Sequence, residues 1–303
     1  MKTNFKHLVV LTIITLMSCN NNDDDSTSYT PSKAALTNLF NANFEDLKQT
    51  ATFDASNTNF VFISTAGATL TIDGTSLRKG SDPVTGNVDI EFYEIYDRGT
   101  MAITNKTTMG YDGTDLVPLE TGGEYLIKVK QGGEELKTVT GYTLSTPTSL
   151  TGGTKTNIEN FTGTMNSNGD LTWAQAPVSE FWVTTNPDKY NAFLSQFGWF
   201  NYDKLPVTGP RTSISVNIPS KYVNASTVFL STKLKPGELG GLTGKWNIGL
   251  ECNIIMLAEQ NGNFKYAIKS ITVENNQMVT FNESELSNPV SPAQLKQILN
   301  NLP

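Results

Sequence analysis

Leu16-Met17-Ser18-Cys19 places a thiol at the end of an apolar run that begins at Leu8 and follows Lys2 and Lys6. A basic n-region, a short apolar h-region and a cysteine at the cleavage point form the pattern at which a secretory peptide is cut and the thiol acylated. The apolar run from Leu8 to Met17 is shorter than the roughly 18 residues a helix needs to cross hydrocarbon. Residues 1–18 are therefore expected to be a removed signal peptide, with Cys19 as the lipidated N-terminus. Two or three acyl chains, at about 0.8 kcal/mol per buried CH₂, make such attachment effectively permanent.

The rest of the chain offers a narrow choice of chemistry. The only histidine, His7, lies in the signal peptide. Its loss excludes Ser-His-Asp and Cys-His catalysis, His-ligated metal sites and imidazole acid/base steps near neutral pH. Cys252 is the one other cysteine and opens the apolar run Cys252–Leu257, so it is expected to be a buried core thiol without a disulfide partner. Carboxylates remain as general acid/base groups, which leaves a glycoside hydrolase as the surviving enzymatic reading. No spacing singles out a pair; Glu91, Glu94 and Asp97 cluster but are expected to face solvent. The loop Asp112-Gly113-Thr114-Asp115 lacks the EF-hand pattern, and neither a metal nor a cofactor is expected.

A binding reading rests on aromatic rings. Phe197 to Asp203 is the densest aromatic block, and its Trp199, Phe200, Tyr202 and Asp203 are the candidate glycan contacts, with Trp173, Trp182 and Trp246 as further stacking faces. The competing reading is that these rings fill sheet cores, where one aromatic buries about 150–250 Å².

These residues need elements to hold them. Leu36, Leu39, Phe40, Phe44 and Leu47 follow helical spacing behind Pro31 and Ser32, and Ser291, Pro292, Leu295, Ile298 and Leu299 mark a short C-terminal helix. Between them lie β-rich runs cut by Asp73-Gly74, Asp112-Gly113, Gln131-Gly132-Gly133, Asn168-Gly169 and Asn261-Gly262, each a hairpin signal. A short helix is also expected over Asp188 to Phe197. The fold class is all-β: two antiparallel β-sandwich (Ig-like) domains, residues 31–145 with the N-terminal helix and 155–303 with the C-terminal one. The polar Thr/Ser/Gly stretch between Tyr142 and Asn157 supplies the boundary.

Residues 19–30 carry Asn20-Asn21-Asn22-Asp23-Asp24-Asp25 and read as a flexible acidic tether. Without residues 1–18 the chain holds 20 basic and 29 acidic side chains, a net charge of −9 that disfavours nucleic acid as a partner. The acidic cluster behind Cys19 resembles the signal that sends Bacteroidota lipoproteins to the outer face of the outer membrane, and Asp25-Ser26-Thr27 resembles that group's O-glycosylation motif at Ser26. Gly67–Ile72, Asp82–Asp97 and Leu119–Tyr125 resemble a β-rich module of secreted and lipid-anchored Bacteroidota proteins, and Phe197–Leu205 resembles the Gly-Trp-Ile-Asn-(Cys)-Asp block that such proteins often carry downstream of it, with Phe200 and Tyr202 in place of the commoner Ile and Cys. The resemblance implies an uncharacterised lipoprotein family with no assigned activity. The resulting expectation is a surface-exposed, outer-membrane lipoprotein, held on the membrane by its lipid. It would act as a non-enzymatic binding or structural module toward glycan or an envelope protein, the alternative being a carboxylate-dependent glycan hydrolase.

Overall fold

The computed structural model describes residues 29–166, 169–177, 181–186, 188–233 and 237–303. The expected signal peptide, Cys19, Ser26, the expected tether up to residue 28, Asn168 and the side chain of Trp182 lie outside the described residues.

Helix α1 spans Lys33–Glu45 and starts at Ser32, whose hydroxyl accepts a hydrogen bond from the Ala35 amide. Leu36 and Phe40, one turn apart, are buried. Helix α2, Arg98–Thr104, is not expected from the sequence: all seven residues are buried, so no amphipathic stripe marks it. Asp97 caps it and Asn105, in the left-handed region at φ 53°, ends it. Helix α3, Pro292–Asn300, carries the capping box of Ser291 and Gln294 with Pro292 in its first turn, and buries Leu295 and Leu299.

The rest is β-structure in several largely antiparallel sheets. The largest runs in the order 49–54, 87–95, 120–131, 198–204, 159–165, 171–175, 109–111, 116–118. A five-stranded sheet runs 181–185, 189–194, 142–147, 69–72, 60–63. Between the two lies a shared core: Val88, Ile90, Phe92, Tyr125, Ile127, Phe200 and Tyr202 meet Leu70, Ile72, Tyr142, Leu144, Ala192 and Leu194. That arrangement is a sandwich, since each strand sends alternate side chains inward. A four-stranded sheet built on 226–232, 251–260 and 263–272 buries both faces, one against Trp246, Ile214 and Phe281, the other against all three helices.

The expected boundary between 145 and 155 does not coincide with a break between sheets. Strand Tyr142–Pro147 pairs with Thr69–Ile72 on one side and Lys189–Leu194 on the other, and Gly198–Lys204 pairs with Glu120–Gln131. Pro31–Pro303 form one compact unit. The polar Gly/Ser/Thr stretch is a surface crossing, which the same composition serves equally well. The helix expected over 188–197 is the strand Lys189–Leu194, where Tyr190, Ala192 and Leu194 are buried at a period of two. Asp73-Gly74 opens a short 3₁₀ turn rather than a hairpin. Asn261-Gly262, both at positive φ (52° and 75°), does close a two-residue hairpin between Gln260 and Asn263.

Candidate functional site

Strand Gly198–Lys204 sets the geometry. Alternation sends Phe200 and Tyr202 into the sandwich core, where Phe200 stacks on Tyr125 at 4.9 Å and Tyr202 meets the Thr146 hydroxyl at 3.2 Å. Trp199, Asn201 and Asp203 occupy the opposite face. Of the four candidate glycan contacts only Trp199 reaches a surface cavity. Phe200 and Tyr202 are 3% and 0% exposed and cannot stack on a ligand, and Asp203 is 0% exposed. The wider tryptophan platform does not form either: Trp173 is buried with its indole N–H donating to the Thr107 carbonyl at 2.9 Å, and Trp246 is buried in a separate core.

Trp199 lines a groove of about 980 Å³ together with Phe44, Glu45, Lys106, Lys128 and Phe197. Its ring stacks on Phe44 at 5.4 Å and meets Trp173 edge-on at 6.1 Å. Phe44 is in turn stacked on Tyr93 at 4.5 Å, so α1 fixes the wall. Lys106, following α2, holds its ammonium 5.0 Å from the Phe44 ring centre and donates to the Thr104 carbonyl. Burial lowers its pKa, while the charge of Glu124 acts the other way. At the rim Lys48 lies 2.5 Å from Glu45, and that hydrogen bond holds the Glu45 carboxyl below its ordinary range.

Farther along the same strand face lies a polar cluster sealed from solvent. Glu124 stands opposite Asn201 and Thr121 opposite Asp203, so Gly122 and Gly123 together face the single residue Tyr202. This is a β-bulge, and it turns Thr121 and Glu124 toward the same side as Asn201 and Asp203. Gly123 adopts φ +130°, where a Cβ would lie 2.5 Å from the Tyr125 hydroxyl. The Asn201 amide N–H donates to Asp203 Oδ2 at 2.8 Å. Burial pushes the Asp203 carboxyl up to about 8, opposed in part by the Thr121 hydroxyl and the Gly122 amide. Burial likewise raises Glu124 well above the carboxylate range; the Asp203 charge adds to this and Lys106 subtracts.

Glu124, Lys106 and Phe44 are site residues that the sequence reading missed. Consecutive glycines inside a strand, Gly122-Gly123, are a bulge signal that could have drawn attention to Glu124; nothing marks Lys106. Of the carboxylates expected to face solvent, Glu94 is instead buried, accepting from Gln49, Ser64 and Tyr96. Asp112 accepts from the Thr114 and Asp115 amides and pairs with Arg211, so its loop is satisfied internally. Cys252 is buried, and burial pushes its thiol up to about 12. Among the described residues no helix is long and apolar enough to cross a membrane, and no three His, Cys, Asp or Glu side chains gather as metal ligands. No protein-family model matches the chain, and a search of curated proteins found no match.

Proposed function

We propose that the chain is an outer-membrane lipoprotein, acylated at Cys19 and facing the cell exterior, whose β-rich body is a non-enzymatic binding module for glycan. The observation that carries the binding reading is the groove, in which Trp199 and Phe44 form an aromatic wall beside Lys106, Lys128 and Glu45. Apolar ring faces suit sugar CH groups, and the flanking charges supply hydrogen bonds. The rival hydrolase needs two carboxyl groups across a cleft, about 5 to 9.5 Å apart. Two carboxylates line the groove, Glu45, which is engaged by Lys48, and Glu135, exposed on the short strand Glu134–Glu135, while the carboxyls Glu124 and Asp203 sit behind the groove rather than in its lining.

The test is glycan-array binding by the purified protein with and without Trp199→Ala. Binding lost on removal of the ring supports the reading, and equal binding by both forms removes it; release of new reducing ends would instead favour hydrolysis. Lipidation is tested separately, by a Cys19→Ala form that should leave the membrane fraction. Protease shaving of intact cells tests exposure, and glycan staining of a Ser26→Ala form tests modification at Ser26.

A further inference from the structure

The polar cluster behind the groove is out of electrostatic balance. Four of its oxygens have no hydrogen-bond partner: both carboxylate oxygens of Glu124, Oδ1 of Asn201 and Oδ1 of Asp203, although the Thr121 hydroxyl and the Gly122 amide stand close to the Asp203 carboxyl. All three side chains are 0% exposed. Buried polar groups are almost always paired, and acceptor-only carboxylates are the costliest to leave alone. The lysines whose charge reaches the cluster have other partners, Lys106 at the Thr104 carbonyl and Lys155 at the Thr151 carbonyl. Glu238, buried and bonded by the Thr232 hydroxyl, adds further negative charge beside Asp203.

The bulge makes this arrangement specific. Thr121 and Glu124 are three residues apart and would alternate onto opposite faces of a regular strand; the bulge at Gly122-Gly123 brings both onto the face of Asn201 and Asp203. The Asn201 N–H bond to Asp203 Oδ2 fixes which end of the amide is the acceptor, and so leaves Oδ1 as the open atom. The unpaired atoms are therefore all oxygens, two carboxylates and one amide from adjacent strands. Hard cations take that donor type; imidazole or thiolate is absent from the cluster.

We propose that the bulge between strands Glu120–Gln131 and Gly198–Lys204 is a binding site for a hard divalent cation of the calcium class, held by the Glu124 and Asp203 carboxylates and the Asn201 amide oxygen. The ion neutralises the buried carboxylates and pins the two central strands at the point where their register shifts. It occupies the face that carries Trp199, so it also stiffens the strand that presents the groove wall.

The experiment uses the purified full-length chain, with calcium, magnesium and terbium as probes. Trp199 and Trp173 lie along the same sheet face and serve as antennae for terbium. The expected results are tryptophan-sensitised terbium emission that calcium displaces, and a higher melting temperature in calcium than in EDTA. Glu124→Gln should weaken both responses at least about tenfold. Asn201→Asp should have opposite effects in the two conditions: a lower melting temperature than wild type in EDTA, and a larger calcium-induced rise, because it adds a carboxylate to the donor set. Identical wild-type melting in EDTA, calcium and magnesium, without displaceable terbium emission, overturns the proposal and leaves the carboxyls protonated. A calcium response that persists unchanged in both variants also overturns it, assigning the ion to surface acids. The wild-type titration and Asn201→Asp decide the matter even if Glu124→Gln does not fold.

Discussion

Trp199 and Asp203 lie on one face of one strand, four residues apart, in opposite surroundings. At Trp199 the sheet face opens into the groove, and the ring is half-buried against Phe44. At Asp203 the same face is sealed. Ile95, across from Glu124 in the next strand, belongs to the core that the three helices and the four-stranded sheet share, and Gly237 approaches Thr121. The strand's alternation decides which side chains share a face, and the layer above decides whether that face is wet. The carboxyls divide in the same way: Glu45 on the groove rim is held below its ordinary range by Lys48, and burial pushes Glu124 and Asp203 above it.

The comparison predicts that substitutions across this strand separate cleanly into fold and binding effects. Phe200→Ala, on the core face, should have the largest effect: loss of a fully buried ring stacked on Tyr125 is expected to cost about 3–5 kcal/mol, read by urea unfolding. Gly123→Ala comes next. Its φ of +130° is open almost only to glycine, at a penalty of about 1–3 kcal/mol for other residues, and the new Cβ would also crowd the Tyr125 hydroxyl. A stable Gly123→Ala protein would mean that the bulge relaxes, and with it the placement of Glu124.

Trp199→Ala should be milder for the fold and severe for the groove. The ring's two aromatic partners are worth about 0.5–1.5 kcal/mol each beyond area burial, so a loss of about 1–3 kcal/mol is expected by the same measurement. Ligand binding should fall far more than stability. A Trp199→Ala protein as destabilised as Phe200→Ala would identify Trp199 as a core residue and erase the contrast between the two faces.

Much of the scaffold was legible in the sequence. Ser32, Ser291 and Pro292 mark helix starts because capping is local chemistry, and Asn261-Gly262 marks its hairpin because few residues accept two positive φ values. Strand character is legible too, but the density of the Phe197–Asp203 block hides the period of two that separates Phe200 and Tyr202 from Trp199 and Asp203. Burial of the polar face could not be read. Asn201, Asp203 and Glu124 have the composition of a solvated face, and their neighbours are distant in sequence, Lys106 beside Glu124 and Lys155 and Glu238 beside Asp203. The domain boundary failed for a related reason: sheet partners such as Glu120–Gln131 and Gly198–Lys204 meet across long sequence separation, whereas turn composition reports only local structure.

The smallest effect is expected at Asp112, the surface counterpart of Asp203. Its carboxyl accepts the Asp115 and Thr114 amides and pairs with Arg211, and these partners hold its pKa below the ordinary value, the Asp115 amide first among them. The linkage sign is therefore opposite to that of a carboxyl whose pKa is raised by burial. Asp112 contributes stability above its unfolded pKa of about 3.9, and that contribution is lost as pH falls through the lower folded value. Arg211→Met should cost about 0.2–1 kcal/mol near neutral pH, typical of a pair that solvent reaches. Urea unfolding of the variant and wild type should show this gap closing as the medium is acidified below the carboxylate range. A gap that stays constant into acid would assign Arg211's contribution to its 3.2 Å bond with Asn247, and would remove Asp112 as the ionised reference against which the buried carboxyls are compared.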